Sequence, residues 1–467
     1  MKNIIRLFAI GAVAFTGVSC EDFLSADPVN RVSAEAFFVS ESDLQLYCNG
    51  LLESYCPSAN TIGMGDSYTD LTASKSGTDY YKPGAAWDAG KQTGWDVGDW
   101  RSIRRANIML RDMVRAKENV SEVVYNHYEG VARFWRAYFY YSKVKTFGNV
   151  PWIDQVLDVD NALLYAGRDD REYVMSKVLE DLNFACTYCS TDTKTYKNVI
   201  NRWVALAFKS RVCLFEGTYR KYHKELNLDG TKFLQECVTA CKELLGKYSL
   251  YTDNSGESYW KMFTAYDFSN NKEVILGRTY IENEFGHAFQ RYYDQNNSNR
   301  QSMGATRGFI DEYLCIDGRP IYVGGSEGNY EENPNFEGYG MWRELENRDP
   351  RLTQTICRPG EHVTIYEGGI VSLDENGINY PKINYNTNGS TVTGYRVIKH
   401  WMGDMEEQDR TTNGIQAAIE FRYGELLLMY AEAKYELEGT LSQADVDMTI
   451  NALRERAGFD FVKYPTS

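Results

Sequence analysis

The side chains best suited to chemistry in this sequence are flat rings with polar neighbours. Its 467 residues include 35 tyrosines, 21 phenylalanines and 9 tryptophans, an aromatic content of 14%. Tyrosine joins an apolar ring to a polar tip, which suits the holding of polar, flat-faced ligands. The candidate platforms are Trp87, Trp95, Tyr292, Tyr293, Trp342 and Trp401, with Asn107, Asp294 and Asn296 as polar contacts. Asn107 enters because Trp100, Ile103, Asn107, Leu110 and Val114 share one helical face, where an amide must be hydrogen-bonded or line a wet groove. The segment Phe289-Gln-Arg-Tyr-Tyr-Asp-Gln-Asn-Asn sets adjacent rings among carboxamides. These residues favour recognition over reaction.

Metal- and phosphate-binding signatures are missing from the sequence. His127, His223, His287, His362 and His400 are scattered, with no His-Glu-x-x-His pair to seat a metal. No phosphate-binding glycine loop or twelve-residue calcium loop occurs, so no metal or cofactor is assigned. The 65 acidic residues offer many pairs that could serve a glycoside hydrolase, and sequence singles out none of them. Fifty Lys and Arg against those 65 acids give a formal charge of −15, which disfavours nucleic acid.

Residues 1–19 place Lys2 and Arg6 before an apolar run, Leu7 to Val18, that is too short to span a bilayer. With Ser19-Cys20 it looks like a bacterial lipoprotein signal, after which Cys20 is the acylated mature N-terminus and the membrane anchor. Its removal takes away two cations and leaves the remainder more acidic. Nine cysteines follow Cys20, an odd number that argues against a fully paired disulfide framework. Cys186 and Cys189 read as core or capping residues, and Cys237 and Cys241 as structural residues on one helix face.

The elements that must position the rings are mainly helices. Apolar spacing predicts them over about 33–55, from 99, and over 120–146, 170–189, 202–217, 232–247, 418–437 and 442–457. The aromatic stripe Val131, Phe134, Trp135, Tyr138 and Tyr141 reads as core packing. Paired helices of this size suggest a tetratricopeptide-like array, although no 34-residue signature recurs plainly. Between Leu250 and Thr412 the texture turns to short strands and long loops, with Gly324-Gly325 and Gly338-Tyr-Gly340 among its glycine clusters. The predicted class is predominantly α-helical, a tetratricopeptide-like scaffold with an irregular loop-rich lobe containing short strands. Its parts are a signal (1–19), the first scaffold part (20–250), a variable recognition lobe (251–412) and a C-terminal scaffold segment (413–467).

Several segments in this order carry a resemblance: Cys20-Glu-Asp-Phe-Leu, Trp100 through Asn107, Ala132-Arg-Phe-Trp-Arg-Ala-Tyr-Phe-Tyr-Tyr with Phe147-Gly-Asn-Val-Pro151, Asn201 through Gly217, Phe421-Arg-Tyr-Gly-Glu-Leu-Leu-Leu-Met-Tyr-Ala-Glu-Ala433 and Ile450 through Gly458. Together they resemble the SusD/RagB family of outer-membrane nutrient-binding lipoproteins, over nearly all the exported chain. The resemblance implies a non-catalytic protein, lipid-anchored through Cys20 at the cell surface. It would bind nutrient oligosaccharides and deliver them to a TonB-dependent, SusC-like transporter. Ring faces would stack on sugars while Asn, Gln, Asp and Arg read hydroxyls. A secreted glycoside hydrolase, or a lid of the transporter with no glycan site, are the competing readings. The family usually continues through another helical region after Gly458, so a shortened or different C-terminal segment is expected.

Overall fold

The computed structural model describes residues 37–63, 65–74, 93–192, 197–288, 303–326, 329–340, 342–360, 381–383, 390–402, 406–407, 410 and 413–459. Cys20, Trp87, Tyr292, Tyr293, Asp294 and Asn296 lie outside these residues.

The first long helix, α1 (Glu41–Tyr55), starts later than apolar spacing alone suggested. Ser40 has extended backbone and shares a capping box with Asp43, which fixes the helix start. There follow α2 (Arg101–Asp112), α3 (Glu122–Phe147), α4 (Arg171–Tyr188), α5 (Arg202–Tyr222) and α6 (Thr231–Leu244). Helix α3 is the hub. It is buried on several faces, with Phe134 and Trp135 each 1% exposed, and it packs against α1, α2 and α4. Its rings contact Tyr55 through Phe139, at 4.6 Å, and Phe208 of α5 through Phe134, at 5.3 Å. The aromatic stripe is therefore core.

Charged pairs tie consecutive helices. Arg136 of α3 grips Asp181 of α4 with two hydrogen bonds of 2.7 and 2.8 Å, and Arg133 reaches the same carboxylate at 3.1 Å. Glu216 of α5 is fully buried and accepts from Arg171 of α4 and from Arg220. Ion pairs sealed from water are costly to break because one partner is left unpaired. Helix α3 ends at Gly148, whose φ of 71° suits glycine. Asn149 then accepts the backbone N–H of Arg171, while the Tyr140 hydroxyl receives the N–H of Ile153 at 2.6 Å. The Phe147-Gly-Asn-Val-Pro151 segment thus closes the turn between α3 and α4.

Among the described residues the strands are short and lie in four two-stranded sheets: β1 (Thr72–Ser74) with β3 (Met303–Ala305), β2 (Val274–Arg278) with β8 (Ala418–Arg422), β4 (Tyr322–Ser326) with β5 (Asn329–Glu332), and β6 (Lys382–Ile383) with β7 (Ser390–Thr391). One expectation is corrected here, since residues 418–422 are not helical. They form β8, antiparallel to β2, and Phe421 buries its ring 6.2 Å from Phe208. Helix α7 (Tyr423–Glu438) begins only after this strand and packs on α5 and α6. The last helical stretch, Gln443 to Ala457, has a π-helical middle at Asp447–Asn451. The β2–β8 ladder ties the entry and exit of the loop-rich lobe together.

All nine described cysteines are buried and none is paired with another. Cys189 is the C-cap of α4, and Cys237 and Cys241 face the carbonyls of Met429 and Leu426 across the α6–α7 contact. Among the described residues no helix is long and apolar enough to cross a membrane.

Candidate binding site

The lobe builds an aromatic surface on a small core of Ala305, Ile310, Leu345, Leu352 and Ile356. Arg348, 4% exposed, pins the loops above this core by donating to the carbonyls of Glu344 and Ile310 at 2.8 and 2.9 Å, and to that of Tyr313. Thr306 donates its hydroxyl to the Asp70 carbonyl, and β1 pairs with β3, so residues 65–74 are fixed to the lobe.

Four residues, two from a hairpin and two from loops, bring rings to this surface. The β4–β5 hairpin carries Tyr322 and Tyr330, 43% and 58% exposed, with centroids 5.7 Å apart. The close approach of its two strands depends on Gly325, at φ 96°, where a Cβ would stand 2.0 Å from the Asn329 carbonyl oxygen. Tyr339, between Gly338 and Gly340, lies under the Arg307 guanidinium, 3.7 Å from its centroid, and approaches Asp311 Oδ2 at 3.5 Å. Trp342 adopts φ 74°, a left-handed conformation uncommon for a bulky side chain, and meets the ring of Tyr395 edge-on at 6.3 Å. The Tyr395 hydroxyl donates to Glu344 at 2.9 Å, and Glu344 also accepts the Gly340 N–H at 3.0 Å.

The polar groups among these rings are tuned by burial. Desolvation holds the Asp311 carboxyl above its ordinary value despite Arg307 and Arg348, and its buried Oδ1 has no hydrogen-bond partner. Burial, the Tyr322 phenol and Asp311 push Tyr339 up to about 12, and burial with Glu344 does the same for Tyr395. These phenols stay neutral donors at physiological pH. Exposed rings, neutral hydroxyls and the exposed Arg307 together suit a polyhydroxylated ligand with apolar faces.

Trp342 is the sequence candidate that the structure places here. Two candidates are corrected. Trp401 is fully buried between Ala59, Tyr280, Cys357 and Ile398, with Arg396 over its ring, so it offers no face to a ligand. Asn107 is 1% exposed, and both ends of its amide are occupied: it donates to the carbonyls of Ile153 and Gln155 and accepts from Arg136. Trp95 sits at the end of α3, edge-on to Trp100 and Phe147, with Arg168 4.5 Å over its ring. Among the described residues it makes no ring contact with the lobe surface. Sequence reasoning passed over Tyr322, Tyr330, Tyr339, Tyr395, Arg307 and Asp311, although the glycine clusters at 324–325 and 338–340 marked the loops that present three of these tyrosines.

A helical scaffold that carries an aromatic, loop-built surface defines a binding protein. The chain belongs to the SusD/RagB family: the SusD family profile matches residues 255–466, and a profile described as "Starch-binding associating with outer membrane" matches 22–214. Proteins of this family bind nutrients, are generally associated with the outer membrane and typically pair with a SusC-like transporter. SusD-like protein P25 of Formosa agariphila is 24% identical over 95% of this chain and 80% of its own. A SusD-like carbohydrate-binding protein from Bacteroides fragilis superposes with a TM-score of 0.67 at 21% identity, over 92% of this chain and 80% of that one. A laminarin-binding SusD-like protein gives a TM-score of 0.53 at 16% identity, covering 92% and 86%.

Proposed function

We propose that this protein captures oligosaccharides at the cell surface and passes them, chemically unchanged, to a TonB-dependent SusC-like transporter. The observation that carries the reading is the aromatic surface of the lobe, where Tyr339 lies under Arg307 beside Asp311 and Tyr322, with Tyr330 next to Tyr322 and Trp342 against Tyr395. Ring faces take up the apolar faces of sugars, and the guanidinium and carboxyl read hydroxyls. The region 251–412 is then the recognition lobe, and residues 20–250 with 413–467 form the tetratricopeptide-like scaffold. Consecutive packing of α3 on α4 and α5 on α6 supports that description. The lipoprotein-like signal at residues 1–19 supports lipid anchoring through Cys20. Trp87, Tyr292, Tyr293, Asp294 and Asn296 stay candidates for further contacts. A similar fold that binds laminarin favours a glycan as the nutrient.

A glycan panel tests this reading on the purified protein. Binding of at least one oligosaccharide without turnover, weakened by Trp342→Ala and Tyr339→Ala, is expected. Transporter capture with no glycan bound would make the protein a lid, and hydrolysis of a bound glycan would make it an enzyme.

A further inference from the structure

A cleft of about 570 Å³, which shares no lining residue with the aromatic surface, lies between α1, the end of β2 and the loop after it. This volume falls within the range of about 300–1,000 Å³ common to small-ligand sites. One wall is the face of α1 bearing Gln45, Asn49 and Leu52, and the other bears Thr279, Ile281 and Phe285. Asn198 also lines it. The side chains of Gln45, Asn49, Asn198 and Thr279 make no hydrogen bond among the described residues, so three amides and a hydroxyl are open to a ligand. Ile281 is 57% exposed, an apolar ledge beside these polar groups.

The chemistry narrows the occupant. Arg278, the only cation among the lining residues, already donates to the carbonyls of Cys56 and Glu53. The side chains of Glu53 and Glu284 also line the cleft, so an anionic ligand would meet repulsion and no free cation. A peptide adding as a strand is also disfavoured, since β2 pairs with β8 on one side and gives its Gly277 N–H to the Lys197 carbonyl at 2.8 Å on the other. Amides that donate and accept, next to apolar side chains, match a neutral polyhydroxylated chain. We propose that this cleft is a second site for neutral oligosaccharide, separate from the aromatic surface. The proposal rests on the oligosaccharide-binding reading of the protein.

The test is calorimetric titration of the purified protein with laminarin- and starch-derived oligosaccharides. The variants are Gln45→Ala/Asn49→Ala and Tyr339→Ala/Trp342→Ala, with hydrogen–deuterium exchange as a second readout. Both substituted amides are exposed, so the first variant should fold as the parent does. The expected result is two sites on the parent protein. The aromatic variant should keep one of them, and adding Gln45→Ala/Asn49→Ala should weaken that remaining site about ten-fold, the effect of losing one or two hydrogen bonds. Exchange over residues 277–287 should slow on ligand addition in the aromatic variant. If the parent binds an oligosaccharide at a single site that Gln45→Ala/Asn49→Ala leaves unchanged, the cleft proposal is wrong and the functional reading stands. If the parent binds none of the oligosaccharides, both fail.

Discussion

Trp342 holds a left-handed backbone that costs of the order of 1–3 kcal/mol for a residue of its type. Such strain persists only where surrounding contacts impose it, and here Tyr395, Glu344 and the Gly340 turn do so. Replacing Trp342 by Ala should weaken oligosaccharide binding roughly ten-fold or more, the scale of one ring platform in the handful of contacts that dominate a site. Trp401→Ala should behave differently. It should cost about 3–5 kcal/mol of stability in urea unfolding, because it empties a fully buried site. The two tryptophans look alike in sequence, each in an irregular segment rich in polar residues. What separates them is long-range: Ala59, Tyr280 and Cys357 converge on Trp401 from distant parts of the chain. Asn107 was legible as an amide on an apolar face, but its partners at 153 and 155 lie across a turn that periodicity does not place.

Helices were legible wherever a strong apolar period met a cap, as in α3 between Ser121 and Gly148. Residues 418–422 misled because Ala-Ile-Glu-Phe-Arg runs straight into a helical pattern, and only pairing with β2 makes them a strand. The close approach of α5 and α6 is a second tertiary fact. A Cβ on Gly217 would lie 2.6 Å from Leu234 Cγ and 3.1 Å from the Leu234 nitrogen. Gly217→Val should therefore destabilise by about 1–3 kcal/mol, read from urea midpoints. Asp445 links α7 to the last helical stretch. Burial alone would raise its carboxyl, but the Lys434 ammonium and the Ser442 and Tyr430 hydroxyls outweigh burial and bring it down to about 2. A lowered carboxyl contributes stability that is complete above its ordinary value of 3.8 and disappears as pH falls through about 2. Asp445→Asn should cost ~1–2 kcal/mol at neutral pH, and the gap from the parent should close as urea unfolding is repeated towards pH 2.

The whole molecule divides its aromatic content between two tasks. Phe134, Trp135, Tyr140 and Phe208 hold the helices together, while Tyr322, Tyr330, Tyr339 and Trp342 face the lobe surface. Composition could not make that division, because it counts rings without saying which loops carry them outward. The order of motifs along the chain made the family legible, while the lobe that sets ligand choice offered only glycine clusters and scattered tyrosines. The formal charge of −15 also has a consequence at this scale. Binding of a neutral oligosaccharide involves no charge pairing, so raising ionic strength from roughly 0.05 to 0.5 M should change its affinity by less than about two-fold. The most direct test of the central claim is calorimetric titration of laminarin- and starch-derived oligosaccharides into the parent protein and into Tyr339→Ala/Trp342→Ala. The account predicts that the parent binds at least one of them and that the variant, folded to the same thermal midpoint, loses one site or holds the ligand there at least about ten-fold more weakly. Equal binding by both proteins would contradict the assignment of the lobe's aromatic surface as the place where the ligand is held.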